Sequence, residues 1–286
     1  MAEVDVAAFQ HNLNVVKNHL DPRVKFLLML KANAYGHGAV DCAKALERAG
    51  CNYFSVFTID EGLELRNAGI DSNILILSKL DISRIQEAVD KNLTLNVSSI
   101  NDVDSIIIFL EQNGLSPKFH LKIETGMTRL GFELEEISAV IKKLMEFKNL
   151  KCEGIYTHFA TSDEGDLSFA IRQKEKFQNA IESAIKLGFN FTIKHISNSG
   201  GLLNDISTDT EIIRLGIHPE WRNRGFAKFM LEQLEIFARE AKIESIWLEV
   251  NIFNKSAISL YNKFSFEEVG VRKNYFKNNR DDALLF

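Results

Sequence analysis

The chain has 286 residues, of which 45% are hydrophobic and 26% are charged, ordinary values that disfavour disordered and fibrous classes. Its 39 acidic and 34 basic residues give a net charge of −5, which argues against binding nucleic acid through overall phosphate attraction. Three cysteines without metal-ligand spacing indicate neither a disulfide framework nor a structural zinc site. Residues 1–13 lack a signal-peptide pattern, and no apolar run reaches the roughly 18 residues of a membrane span, so we expect a cytoplasmic protein outside the membrane.

Residues 1–217 alternate short apolar or β-branched runs with helical patterns. The eight predicted strands cover residues 24–32, 52–57, 73–78, 93–99, 118–124, 150–158, 191–197 and 211–217. Between them, apolar residues recur at helical spacing, for example over 38–50, 60–69, 83–92, 132–147 and 168–188. This order predicts an α/β fold of the (β/α)8 TIM-barrel type. Because periodicity alone does not close a barrel, a doubly wound open sheet is the alternative.

The pattern changes after residue 217. The predicted elements there are a helix over 224–242, a strand over 243–250, a helix over 255–264, a strand over 266–273 and a short run over 283–286. A segment of about 70 residues folds alone only marginally. We therefore predict two domains, a barrel over 1–217 and a smaller α+β module over 218–286.

Lys31 is the first candidate functional residue. It follows the first predicted strand, at the end where a barrel of this type places its chemistry, and an apolar surround there would lower the lysine pKa and leave a free amine to attack a carbonyl. A lysine after a strand is, taken alone, more often a solvated loop residue. However, the segment KANAYGHG (31–38) resembles the cofactor-lysine motif of the alanine racemases, a barrel-type family of enzymes dependent on pyridoxal 5'-phosphate (PLP).

Four further segments resemble the same family in the same order. They are KIETGMTRLGF (122–132), GIYTHFATSDE (154–164), HISNSG (195–200) and IIRLGI (212–217). The resemblance implies that Arg129 meets the phenolic oxygen of PLP and orients the substrate, beside the often carbamylated Lys122. It also implies that His158 stacks on the PLP ring. Taken singly, His158 would suit a hydrogen-bonded core histidine, and Arg129 and Arg214 would suit surface ion-pair partners.

The remaining roles implied by the resemblance concern the phosphate and the pyridine nitrogen of PLP. The phosphate ligands are Tyr35, Asn198 and Ser199, with the backbone amides of Gly216 and Ile217. Arg214 bonds the pyridine nitrogen and, since arginine only donates, keeps that nitrogen unprotonated. The residues around Asn198 alone would also suit an ordinary turn or helix start.

These motifs imply a racemase that interconverts L- and D-alanine, with Lys31 as the base on one face of the substrate. In the family, the second acid/base is a tyrosine from a β-rich C-terminal domain, supplied across a dimer, and nothing beyond Ile217 resembles that domain. We therefore expect weak or absent racemisation, and a PLP-binding protein without turnover is the alternative. The resemblance makes alanine the small-molecule partner and leaves a homodimer open.

The tail resembles a second family. Its R-x-x-G-x-A turn suits a pyrophosphate at a helix N-terminus, and the segment from 217 to 286 is similar to the GNAT acetyl-CoA-dependent N-acetyltransferases, closest to those acting on ribosomal-protein alanine. The implied acetyl-CoA contacts are Arg222, Arg224, Gly225, Ala227 and Asn254. Glu249 is the implied general base and Tyr261 the general acid. The segment resembles only the C-terminal half of that fold, so the module is partial, and a fusion, a recombination product and a joined fragment stay open.

Overall fold

The computed structural model describes residues 13–14, 16–17, 24–162, 166–204, 206, 212–215, 249–251, 258, 261–276 and 281–285. The chain divides into two compact units, Val4–Gly216 and a second formed by Met1–Glu3 with Ile217–Phe286. None of the helices within these described ranges is both long and apolar enough to cross a membrane.

The described part of the first unit contains eight strands that form one parallel sheet. The strands are β1 (Lys25–Met29), β2 (Tyr53–Val56), β3 (Asn73–Ile76), β4 (Thr94–Val97), β5 (Lys118–Lys122), β6 (Lys151–Tyr156), β7 (Ile193–His195) and β8 (Ile212–Leu215). Their order in the sheet is β7-β6-β5-β4-β3-β2-β1-β8. Strands β7 and β8, at the two ends of this order, approach each other to within 8 Å between Cα atoms. The sheet therefore curls into the predicted barrel, and the doubly wound alternative is wrong because the strand order never reverses direction.

Helices connect successive strands on the outside of the sheet. They are α1 (Ala39–Arg48), α2 (Ile59–Asn67), α3 (Ile85–Asp90), α4 (Ile100–Asn113), α5 (Leu134–Glu146), α6 (Ser168–Lys186) and the short α7 (Ser199–Leu203). Their starts follow local capping chemistry: Thr58 and Glu61 form a reciprocal capping box at α2, and the Ser99 side chain caps α4.

The strands carry few exposed residues, as expected for a parallel sheet covered on its outer face. All four residues of β2 and all four of β4 are buried. Large apolar side chains such as Phe54, Phe119 and Ile74 are completely excluded from solvent. The barrel interior also holds polar side chains, and these matter for the site described below.

The described part of the second unit contains an antiparallel sheet. Its strands are β9 (Glu249–Asn251), β10 (Gly270–Phe276) and β11 (Asp281–Leu285), in the order β10-β11-β9. The predicted strand over 266–273 is wrong at its start, because residues 266–269 have no strand conformation. The N–H groups of Phe264, Ser265 and Phe266 bond back to carbonyls of residues 261 and 262, closing the preceding helical turn and delaying the strand.

Candidate active site

The predicted site residues of the first unit lie where parallel strands end. Lys31 lies two residues after β1, Lys122 is the last residue of β5, His158 lies two residues after β6, and Asn198 lies three residues after β7. The register pairs Lys122 with Tyr156 and Tyr156 with His195. Because the carboxyl ends of barrel strands share one rim, these side chains belong to a single mouth.

Lys31 opens a turn that is unusual for L-amino acids. The backbone from Ala32 to Tyr35 has four consecutive φ values between 51° and 56°, although none of the four residues is glycine. Such left-handed residues cost roughly 1–2 kcal/mol each, so other contacts must hold them. We call Lys31–Tyr35 the lysine turn.

The first and last residues of the lysine turn, Lys31 and Tyr35, are half-buried. The Lys31 Nζ atom lies 5.9 Å from the centre of the Tyr35 ring. Burial raises the pKa of the Tyr35 hydroxyl to about 12, so the phenol stays protonated near neutral pH and can donate a hydrogen bond.

Arg129 is exposed on a loop that follows β5. The loop is closed at its base because the Glu124 N–H donates to the Phe132 carbonyl at 2.9 Å and the Phe132 N–H donates to the Lys122 carbonyl at 2.8 Å. We call residues 124–131 the arginine loop.

The Glu124 carboxylate organises the inside of the arginine loop. Oε1 accepts the Gly126 N–H at 2.5 Å, and Oε2 accepts the Arg129 N–H at 3.2 Å. Burial works against ionisation of Glu124, but hydrogen bonds from backbone amides outweigh it and lower the pKa of the carboxyl. Those amides belong to Thr128, Gly126, Arg129 and Met127. The position of Arg129 is thus set by a carboxylate of its own loop.

Gln173, on α6, connects the arginine loop to the segment that carries His158. Its side chain is fully buried. Nε2 donates to the Thr125 hydroxyl at 3.2 Å and to the His158 carbonyl at 3.1 Å, while Oε1 accepts the Ala160 N–H at 2.9 Å. The Gln173 amide therefore connects the arginine loop to the segment after β6 and restrains their relative positions.

Asn198 and Ser199 are buried at the start of α7. Asn198 Oδ1 accepts the Gly201 N–H at 2.9 Å and the Ser162 hydroxyl at 2.7 Å. The backbone donor settles which amide atom is oxygen, so Nδ2 points the other way. Within the described part of the chain, Nδ2 has no hydrogen-bond partner. A buried donor of this kind is costly unless a bound group accepts its hydrogen bond.

A chain of buried polar rings crosses the barrel interior. The Tyr53 hydroxyl hydrogen-bonds His120 Nε2 at 2.9 Å, and His120 Nδ1 hydrogen-bonds His195 Nε2 at 3.0 Å. The His195 ring stacks on Tyr156 with centroids 4.7 Å apart. Gly154 leaves room for His120, because a Cβ there would lie 2.8 Å from the imidazole. Burial lowers the pKa of His120 to about 3, so this imidazole is neutral.

Comparison with known proteins matches the first unit to one family. Residues 4–218 match the family of alanine racemase N-terminal domains. The chain belongs to this family. It is 38% identical over 216 residues to alanine racemase 2 of Caldanaerobacter subterraneus subsp. tengcongensis, covering 75% of this chain and 56% of that protein. It is 36% identical to the alanine racemase of Methanococcus maripaludis, covering 76% and 58%.

Solved alanine racemases share the fold of the barrel. The enzyme of Clostridium difficile 630 superposes with a TM-score of 0.70 at 33% identity, covering 73% of this chain and 55% of that one. The Bacillus anthracis enzyme, solved with bound L-Ala-P, gives a TM-score of 0.70 at 32% identity, covering 77% and 58%. The chain thus spans somewhat more than half the length of the alanine racemases it matches. Alanine racemases depend on PLP, which agrees with a lysine at the mouth of the barrel.

The tail gives a second match. Residues 199–266 match the acetyltransferase (GNAT) family and so overlap the end of the alanine racemase match. Among the predicted catalytic residues of the tail, Tyr261 is half-buried and its ring centre lies 6.0 Å from that of Phe266. Glu249 begins β9, where its backbone pairs with Leu285.

Several predicted site residues lie outside the described residues. They are Gly216, Ile217, Arg222, Arg224, Gly225, Ala227 and Asn254. For Arg214 and Glu249 the strand backbone is described but the side chain is not. The backbone of Arg214 lies beside Leu27 of β1. The roles of these residues therefore remain predictions.

Three side chains that support the alanine racemase motifs were not predicted from the sequence: Glu61, Glu124 and Gln173. The first had a local signal, since Thr58 and Glu61 have capping-box spacing. Glu124 lies inside a motif that was recognised, although no role was assigned to it. Gln173 had no signal, because one polar residue on a long amphipathic helix looks like any solvated position.

Proposed function

We propose that the barrel binds PLP through Lys31 and acts on alanine as the N-terminal part of an amino-acid racemase. The observation that carries this proposal is the buried Asn198 amide, whose Nδ2 has no acceptor among the residues the structure describes. It lies on the rim that also presents Lys31. A phosphate group supplies the acceptor oxygens that such a donor needs, and the protonated Tyr35 hydroxyl is a second donor. The residues present therefore fit the cofactor.

The chemistry divides between the cofactor and the protein. When bound, PLP supplies an electron sink for the Cα of an amino acid attached to it. Lys31 binds the cofactor and then holds or returns the Cα proton on one face of the substrate. Arg129 orients the substrate, and the ring of His158 packs on the cofactor. Arg214 is a donor only and so keeps the pyridine nitrogen unprotonated, which favours return of the proton over competing reactions.

Racemisation also needs an acid/base on the opposite face of Cα. In the resembled family this is a tyrosine of the C-terminal domain, whereas residues 199–266 of this chain match the GNAT family instead. We infer that the chain exchanges the Cα proton from one face and racemises alanine weakly or not at all. Cofactor binding without turnover is the alternative, and the two differ in whether the Cα proton exchanges.

The test uses the full chain incubated with PLP, reduced with borohydride and analysed by peptide mass spectrometry. We expect the cofactor adduct on Lys31 and its complete loss in Lys31→Ala. Lys25→Ala, which changes an exposed lysine at the start of β1, should retain the adduct in full. A wild-type chain that carries no adduct would overturn the proposal.

A second measurement separates exchange from racemisation. With L-alanine and D-alanine tested separately in deuterated water, a base on one face should place deuterium at the Cα of one enantiomer and form little of the other. No deuterium in either enantiomer would favour the binding protein without turnover. Rapid conversion of one enantiomer into the other would show that a second acid/base is present after all.

A second candidate function is N-acetylation by the tail, favoured by the GNAT match. In this proposal acetyl-CoA is the cofactor, ribosomal-protein alanine termini are the acceptors by resemblance, Glu249 is the base and Tyr261 the acid. Calorimetric titration with acetyl-CoA tests it: binding should be lost when Arg224 and Gly225 are both substituted, and catalysis lost in Glu249→Gln. Absence of acetyl-CoA binding to the wild-type chain would exclude this function.

We further propose that the barrel (1–217) and the acetyltransferase-like module (218–286) are separate domains. We also propose a homodimer, by resemblance, and a cytoplasmic location. Light scattering of the purified chain tests the homodimer, and a monomeric mass would contradict it.

A further inference from the structure

The lysine turn needs support that its own residues do not supply in full. Within it, the Gly36 N–H donates to the Ala32 carbonyl at 3.1 Å, and the Ala34 N–H donates to the Leu30 carbonyl at 2.8 Å. These bonds close the turn, but they do not relieve the left-handed backbone of four non-glycine residues. Strained backbone persists only where surrounding contacts over-determine it.

A carboxylate from a different part of the chain contacts the turn. Glu61 lies in the first turn of α2, and its Oε1 accepts the Ala32 N–H at 2.7 Å. Its Oε2 accepts the N–H groups of Phe57 at 2.6 Å and Thr58 at 3.1 Å. One side chain thus joins the backbone after β1 to the backbone after β2, with hydrogen bonds strengthened by its charge.

We propose that Glu61 is a positioning residue for Lys31. Because Ala32 is the next residue, a hydrogen bond to its N–H restrains the peptide plane from which the Lys31 side chain projects. The inference rests on the proposed function, since it concerns how Lys31 is presented to PLP. Glu61 does not touch the reacting atoms and acts only through the lysine turn.

A plain capping role for Glu61 makes a different prediction. The capping box has two halves: the Thr58 hydroxyl accepts the Glu61 N–H at 3.2 Å, and the Glu61 carboxylate accepts the Thr58 N–H. Thr58→Ala removes the first half and leaves the contact with Ala32 intact. If Glu61 only starts α2, then Thr58→Ala and Glu61→Gln should have similar effects on the site.

A glycine exchange distinguishes the two roles further. Glycine adopts positive φ without the penalty that a Cβ imposes. In Ala32→Gly the lysine turn depends less on an outside contact, so this change should compensate for loss of the Glu61 carboxylate. It should not compensate for a defect in the start of α2.

The experiment measures PLP binding by fluorescence titration of the full chain and of four variants: Glu61→Gln, Thr58→Ala, Ala32→Gly, and Glu61→Gln with Ala32→Gly. Glu61→Gln leaves one uncharged acceptor oxygen for the three N–H groups and turns a donating NH2 towards the others, so we expect it to raise the Kd for PLP roughly fivefold, the effect of losing about one hydrogen bond. Thr58→Ala should stay within about twofold of wild type, and the double variant should recover most of the loss. Equal effects of Glu61→Gln and Thr58→Ala, or no recovery in the double variant, would overturn the proposal.

A readout without cofactor keeps this inference separate from the proposed function. Amide hydrogen exchange of the peptide covering 31–36 should be faster in cofactor-free Glu61→Gln than in wild type, and unchanged in Thr58→Ala. If the wild type takes up no PLP, the proposed function fails and this exchange result alone decides the role of Glu61; unchanged exchange in Glu61→Gln would refute it. Should Glu61→Gln be unfolded by circular dichroism, Glu61→Asp, which keeps the charge and shortens its reach, replaces it with the same expectations.

Discussion

The lysine turn and the arginine loop lie at the same barrel mouth and reach positive φ in different ways. The arginine loop has glycine at two of its three positive-φ positions, Gly126 and Gly131, with φ of 135° and 140°, and Thr128 at the third, with φ of 50°. The lysine turn has alanine, asparagine and tyrosine at its four positions. Both gather backbone N–H groups on a glutamate, but Glu124 belongs to its own loop whereas Glu61 is 29 residues from the Ala32 it contacts.

The backbone conformations of these two segments are therefore fixed in two different ways within one site. The arginine loop is determined locally, because its glycines and its carboxylate lie within a few residues of one another. The lysine turn depends on tertiary structure, because its four consecutive L-residues with positive φ are contacted by a carboxylate 29 residues away, whereas Thr128 of the arginine loop hydrogen-bonds Glu124 of its own loop. Replacing glycine by alanine in the arginine loop and alanine by glycine in the lysine turn should therefore change the free energy of unfolding by different amounts.

The largest expected effect is that of Gly131→Ala. A Cβ at this position would lie 2.5 Å from the Glu124 nitrogen and 2.7 Å from the Ile123 carbonyl carbon, and neither backbone atom can move freely. We expect a loss of about 3 kcal/mol in the free energy of unfolding, from steric overlap and positive φ together. Gly50→Ala, at φ +84° with no atom within 4 Å of a new Cβ, should lose only about 1 kcal/mol. Urea unfolding followed by far-UV circular dichroism measures both, since both tryptophans, Trp221 and Trp247, come after residue 217 in the sequence. Equal losses would show that the requirement for glycine at position 131 comes from its positive φ and not from the close approach of the backbone of residues 123 and 124.

An intermediate effect is expected for Glu124→Gln. The folded pKa of Glu124 lies below its ordinary value, so its contribution to stability is present above the unfolded pKa and is lost as the pH falls towards the folded pKa. At neutral pH the variant should lose about 1 kcal/mol, a value reduced for the partial exposure of the carboxylate. Below about pH 4 the difference from wild type should shrink. Urea unfolding at several pH values tests this, with Glu111→Gln on the exposed side of α4 as the control. A pH-independent difference would contradict an ionised Glu124 in the folded protein.

The smallest effect is expected for Ala32→Gly in the wild-type chain. Relief of the left-handed strain stabilises the turn, while the added freedom of the unfolded chain opposes it, so stability should rise by no more than about 0.5 kcal/mol. Ala139→Gly, at an exposed position within α5, should instead lose about 1 kcal/mol, because glycine is unfavourable inside a right-handed helix. The same unfolding measurement compares them. A loss at Ala32 as large as at Ala139 would mean that the left-handed turn carries no strain.

The sequence predicted the barrel well because its signals are local. Each predicted strand contains an observed one, usually with one or two residues trimmed from each end, as for 52–57 against Tyr53–Val56. In the tail, the strand expected from 266 begins at Gly270, because the helical turn ending near Ser265 takes up the next backbone groups. The predicted helix over 224–242 and most of the predicted strand over 243–250 lie outside the described residues. Apolar periodicity does not show where a capping turn ends.

The amino-acid sequence by itself determined the number and order of the barrel strands and placed Lys31, Arg129, His158 and Asn198 after their ends. These features depend on residue types within a few positions of one another. Only the tertiary structure revealed the residues that support them. The contact of Gln173 with Thr125 joins residues 48 apart, and that of Tyr53 with His120 joins residues 67 apart. Such contacts depend on how the strands align when the sheet curls, and no local pattern of residue types records that alignment.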